Sequence, residues 1–134
     1  MTDDAGRYEQ GMAVRRATLG DAHVDAAVAR TDAFTEPFQD FITRSVWGDV
    51  WSRPGLDRRT RSMLTVALLA ALGHDRELPL HVRGALRNGV TRDELSEVLL
   101  HTAVYAGAPA ANTAFTVAAQ VLVDEDAGAP RGED

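Results

Sequence analysis

Asp57-Arg58-Arg59-Thr60-Arg61-Ser62-Met63-Leu64-Thr65-Val66-Ala67-Leu68-Leu69-Ala70-Ala71-Leu72-Gly73 opens on a residue type that caps helices and closes on one that ends them. No proline or glycine interrupts the run between them, and its second half is apolar on every side. This is a helix predicted over 58–72, and it demands cover on more than one face. The nearly apolar part, Met63 to Leu72, spans ten residues, well short of the ~20 that a membrane span requires.

The flanking sequence divides into further helices. Upstream, Ser52-Arg53-Pro54-Gly55-Leu56 reads as a loop, because proline disfavours helix at the residue before it and glycine supplies a turn. Phe38, Phe41, Ile42, Ser45 and Val46 follow helical spacing and predict a helix from about Pro37 to Trp47. A first helix is expected from Gly6 to Leu19, stopped at Gly20, with Asp21 capping a short helix to Arg30. Downstream, a helix is expected from Glu77 to Asn88, ended by Gly89. Thr91-Arg92-Asp93-Glu94 then forms a capping box for a helix to Ala106. Pro109 starts the last helix, to about Val123. The residues from Asp124 onward have the composition of a disordered end. The expectation is a single all-α domain of six to seven helices.

Composition narrows the chemistry. No cysteine occurs, which removes disulfides, thiol nucleophiles and CxxC redox sites. The 14 basic residues are all arginine, so no lysine can form a Schiff base. A net charge of -6 argues against nucleic acid as a partner. The polar, acidic start lacks an apolar stretch behind it, and a cytoplasmic protein is expected. The all-round apolar helices predict a homo-oligomer.

Two constellations stand out. Glu77 and His81 are spaced i, i+4, and so are Glu97 and His101, so each pair shares a helix face. Either is readable as a surface carboxylate–imidazole pair, or the two as one pocket if their helices are neighbours. The spacing lacks the H-E-x-x-H signature, so no metal is expected. The second constellation is Arg53, Arg58, Arg59 and Arg61. Cations at a helix N-terminus oppose the dipole, so they suit a carboxylate ligand better than they suit stability. Trp47 and Trp51 read first as packing, and Tyr105 continues the Glu97–His101 face.

Five segments together are more telling: Trp47-Gly48-Asp49-Val50-Trp51-Ser52-Arg53-Pro54-Gly55-Leu56, Arg58-Arg59-Thr60-Arg61-Ser62, His81-Val82-Arg83, Asn88 to Leu95, and His101 to Asn112. In that order the chain resembles the carboxymuconolactone decarboxylase family, within the broader alkylhydroperoxidase D-like superfamily. In the peroxidase-like branch of that superfamily a CxxC pair precedes a histidine. Set on His81, those cysteines would fall at His74 and Glu77, so peroxidase activity is not expected.

The resemblance implies an alkylhydroperoxidase D-like helical fold, an oligomer that is commonly a hexamer, and no cofactor. It also implies conversion of 4-carboxymuconolactone, a dicarboxylate lactone, to 3-oxoadipate enol-lactone and CO2 in protocatechuate catabolism. On that reading His81 is the proton donor or oxyanion partner, positioned by Glu77 or Glu97. His101 and Tyr105 are secondary candidates. Arg53, Arg61 and Arg83 would hold carboxylates, with Trp47 beside the substrate. A related lactone or β-keto acid decarboxylase, or a non-catalytic carboxylate-binding helical oligomer, are the competing expectations.

Overall fold

The computed structural model describes residues 3–128. Among them stand seven α-helices and one π-helical segment, with no strand. They fall into two compact units, one ending at Asp57 and the other beginning at Arg58.

In the first unit, α1 spans Asp4–Leu19. The side chain of Asp3 caps it by accepting from the Gly6 amide at 2.7 Å. Gly20 ends it with φ 94°, where a residue without Cβ avoids strain. α2 is Asp21–Arg30 and has Gly20, not Asp21, in the capping position. The Asp21 carboxylate instead reaches Arg16 at 3.0 Å, and Asp25 meets the same guanidinium at 2.8 Å. α3 is Glu36–Phe41, and it runs directly into a π-helical segment, Ile42–Trp51. The helix expected to stop at Trp47 therefore reaches Trp51, and its second part is wound more loosely than an α-helix.

The segment packs chiefly against α1. Gly11 and Gly48 are both buried. A Cβ on Gly11 would run into the Thr43 carbonyl oxygen, and one on Gly48 would lie 2.7 Å from the Arg7 carbonyl oxygen. The two backbones thus touch at two points where only hydrogen fits. Thr43 is 1% exposed; its hydroxyl donates to the Gln39 carbonyl at 2.7 Å.

In the second unit, α4 is Arg58–Leu72, α5 Leu78–Arg87, α6 Arg92–Ala106 and α7 Ala108–Ala127. α4 and α7 are the central pair, since α5 and α6 each pack on both of them. Val66 and Ala70 of α4 join Leu78, Val82 and Ala85 of α5, Leu95 and Leu99 of α6, and Ala114, Ala118 and Val121 of α7 in one core. Alanines on the buried face of α7 let its neighbours approach closely. The capping box is present: Thr91 Oγ1 accepts from the Glu94 amide at 3.0 Å, and Glu94 Oε1 accepts from the Thr91 amide at 2.9 Å. Asn88, at the C-cap of α5, donates to the buried Ser62 hydroxyl of α4 at 2.9 Å.

Two expectations about the last helix are corrected. It starts at Ala108, and it runs past Val123 to Ala127, so Asp124–Ala127 are helical and not part of a disordered end. Arg92 meets this extension. Its guanidinium grips both carboxylate oxygens of Asp126, at 2.5 and 3.2 Å, and ties the last turn of α7 to the start of α6. The rest of the expected disordered end, 129–134, lies outside the described residues.

Placing a methyl group at Gly11 or Gly48 tests the close approach in the first unit. Alanine is the better helix former by up to about 1 kcal/mol, yet Gly11→Ala and Gly48→Ala are each expected to lose about 1–3 kcal/mol through overpacking. Gly55→Ala, with nothing within 4 Å of its new Cβ, is the neutral control. Urea unfolding at neutral pH reads all three.

Candidate functional site

α4 and α6 lean together over a hollow of about 430 Å³. Met63, Leu64 and Ala67 of α4 and Val98 of α6 supply its apolar wall. Thr60, Glu94, Glu97 and His101 supply its polar groups. Positions 60, 63, 64 and 67 are one stripe of α4, as 3.6-residue periodicity requires. Glu97 and His101 stand one turn apart on α6, so the i, i+4 spacing does bring a carboxylate and an imidazole to one surface.

Glu94 is committed elsewhere. Besides capping α6, its carboxylate forms an ion pair with Arg59 of α4. That pair offsets the negative charge at one end of the hollow and clamps α4 to α6. The ring of Tyr105 lies 5.2 Å from that of His101 at 49°, and Tyr105 is 81% exposed.

His81, Arg83 and Arg61 also belong to the second unit. His81 is half-buried on α5, and the exposed Arg83 follows it by two residues. Glu77 occupies the N-cap of α5 and is exposed. None of these residues, nor Tyr105, lines the α4–α6 hollow. The geometric reason is that α5 and α6 share α4 and α7 as their principal neighbours. Arg61, half-buried, sits in the first turn of α4.

Trp47 and Arg53 belong to the first unit. Trp47 is 5% exposed and stacks against Trp51, with centroids 4.9 Å apart. Arg53 lines a polar hollow of about 430 Å³ together with Arg7, Gln10, Asp49 and Ser52. Arg7 holds Asp49 there with two hydrogen bonds, at 3.0 and 2.7 Å, and reaches Asp4 at 2.9 Å. That donation holds the Asp49 carboxyl below its ordinary range, and the carboxylate in turn raises the Arg7 guanidinium. Among the described residues no group of three or more His, Asp or Glu side chains is placed to hold a metal ion. No helix among them is long and apolar enough to cross a membrane.

Several lining residues were not singled out by sequence: Thr60, Met63, Leu64, Ala67 and Val98. The α4 stripe facing α6 was the available signal, but an all-round apolar helix hides which stripe that is.

An all-helical architecture with a carboxylate and an imidazole over an apolar-walled hollow defines a helical protein with a small-molecule-sized site. The chain belongs to the carboxymuconolactone decarboxylase family, whose model matches residues 36–120. It is 49% identical over 122 residues to a 4-carboxymuconolactone decarboxylase of Acinetobacter baylyi, covering 91% of each chain. It is 44% identical over 117 residues to a nitrosuccinic acid decarboxylase of Metarhizium robertsii, covering 87% of this chain and 82% of that one. A 4-carboxymuconolactone decarboxylase of Pseudomonas putida is 51% identical over 47 residues, 35% of this chain and 98% of that one.

The Arg7–Asp49 pair makes a pH prediction. Because the folded carboxyl is more acidic than the unfolded one, the pair stabilises above the unfolded value of about 3.9. That stabilisation is lost as pH falls through the folded value. Asp49→Asn is therefore expected to lower stability near neutrality and to flatten the loss of stability on acidification below about pH 4. Urea midpoints across the acid range measure it; equal slopes in the two proteins would count against the pair.

Proposed function

We propose that this chain is a cytoplasmic carboxy-lyase that converts 4-carboxymuconolactone to 3-oxoadipate enol-lactone and CO2 in protocatechuate catabolism, with no cofactor. Supporting the substrate is the likeness to the Acinetobacter decarboxylase over nearly the whole chain. The geometric observation that carries the reading is the apolar-walled hollow with Glu97 and His101 side by side.

The chemistry asks little of the protein. When the ring carboxylate leaves, the electron pair of its C–C bond moves through the adjacent double bond onto the lactone carbonyl. A dienolate forms, so the substrate is its own electron sink. A proton delivered to the carbon alpha to that carbonyl completes the enol-lactone. The protein must grip one carboxylate, steady an oxyanion and supply one proton.

The departing carboxylate is best left without a tight cationic clamp, because such a clamp would favour the ground state over the transition state. Among the described residues, no arginine lines the α4–α6 hollow. Glu97 and His101 line the hollow and are the alternative acid pair. The family resemblance alone supports His81 as proton donor or oxyanion partner, Arg53, Arg61 and Arg83 as candidate grips for the other carboxylate, and Tyr105 and Trp47 as substrate contacts; none of the six lines this hollow.

The Metarhizium relative gives a second reading its substance. Nitrosuccinic acid is also a dicarboxylate carrying its own sink, since a nitro group accepts an electron pair as a nitronate. Both acids are therefore to be offered to the purified chain.

Turnover is followed by loss of lactone absorbance, with and without chelator. The lactone is expected to be consumed at an unchanged rate in chelator, and preference for nitrosuccinate would transfer the proposal to the second reading. Removing the proton donor is expected to lower kcat by about 10²–10⁴-fold. If His81→Ala keeps near-normal turnover while His101→Ala or Glu97→Gln loses it, the donor is on α6. Arg53→Ala, Arg61→Ala and Arg83→Ala, made singly, are expected to raise KM where they touch the retained carboxylate.

A homo-oligomer, with the hexamer as its expected form, is also part of the proposal. Leu64, Leu68 and Leu72 repeat every fourth residue along α4 and are 49%, 59% and 66% exposed; Leu100 and Val104 of α6 are 56% and 71% exposed. Apolar stripes of this kind mark contact surfaces, and Leu64 also lines the hollow. Leu68→Glu is expected to yield smaller species in sedimentation and to lose turnover with assembly. A dissociated chain with full turnover would separate the assembly from the site.

A further inference from the structure

We infer that the first unit carries a second ligand site, a cavity around Arg15 that takes a small monocarboxylate. Such a site does not depend on the decarboxylation.

Arg15 lies on α1 and is only 4% exposed, and its Nε is enclosed without a hydrogen-bond partner. Among the described residues no carboxylate pairs with it, although the unit's other arginines in ion pairs show how readily one could. Arg16, the next residue, holds Asp21 and Asp25. Arg7 holds Asp4 and Asp49, and Arg44 holds Asp40. A guanidinium removed from water without an anion is a costly arrangement. Burial accordingly pulls its ionisation below the ordinary arginine value.

Arg15 lines a cavity of about 250 Å³ walled by α1, α2, α3 and the start of the π-helical segment. The walls decide the ligand class. The planar guanidinium matches a carboxylate in two parallel hydrogen bonds. Met12 and Val28 offer apolar contact to a short body. Asp40, also in the wall, is already neutralised by Arg44 at 3.0 Å. Glu36 has no ion pair among the described residues and is exposed, so it opposes a second negative charge. One carboxylate on an uncharged body therefore satisfies the cavity, whereas a dicarboxylate meets Glu36.

Calorimetric titration of the full chain with propionate, potassium chloride serving as the ionic-strength control, tests this. One propionate per chain is expected, bound at least about tenfold more weakly by Arg15→Met. Without propionate that variant is expected to unfold at the same or a higher temperature, because an unpaired buried charge has been removed. Succinate is expected to bind the native chain more weakly than propionate, and Glu36→Gln to narrow the gap without touching Arg15. Absence of binding, or equal binding by Arg15→Met, overturns the site. So does an Arg15→Met chain that unfolds early and sediments as a smaller species, since Arg15 would then be answering a carboxylate of a second copy.

Discussion

Everything in the second unit hangs on how α4 divides its apolar surface. Ser62, Val66 and Ala70 face inward at four-residue spacing, and α5, α6 and α7 all pack against this helix. Leu64, Leu68 and Leu72 repeat at the same spacing on a face that stays exposed. One helix thus serves a core and an outer surface at once. The hollow lies where those two faces meet α6, so its apolar wall comes from a helix that packing already holds in place. The Arg59–Glu94 ion pair fixes the same two helices from the polar side. Exposed ion pairs contribute little singly, and here the effect is geometric, setting the spacing of the hollow's two walls.

The first unit is organised by contact between backbones. Gly11 and Gly48 let α1 and the π-helical segment approach to a distance that no side chain permits. Around this contact Arg7, Arg16 and Arg44, nearer the surface, meet aspartates, while Arg15 is enclosed. A chain without lysine must place every basic contact with a planar fork, which favours bidentate carboxylate partners over point-charge pairing.

Local signals were legible and non-local ones were not. Gly20, Gly73 and Gly89 read as helix stops, and each has positive φ; a C-cap is decided by a few neighbouring residues. The capping box at Thr91 is equally local. By contrast, the spacing of Phe38, Phe41, Ile42 and Val46 suits an α-helix, and nothing within it announces π winding. Its close contact with α1 depends on Gly11, more than thirty residues earlier. Composition after Val123 reads as disorder because it is acidic, whereas Asp126 stands in α7 with its carboxylate held by Arg92. The site divides in the same way. Spacing put Glu97 and His101 on one face, but only packing shows that α6 shares its hollow with α4 and not with α5.

The π-helical segment gives the chain a tolerance of length that an α-helix lacks. A π turn holds more residues than an α turn, so losing one residue between Ile42 and Trp51 gives the backbone a route to ordinary α winding. In a uniform α-helix such a loss turns everything after it by about 100°; here the change of winding takes up most of that turn. What the element does not tolerate is a change of letter at Gly48, where any Cβ meets the Arg7 carbonyl oxygen.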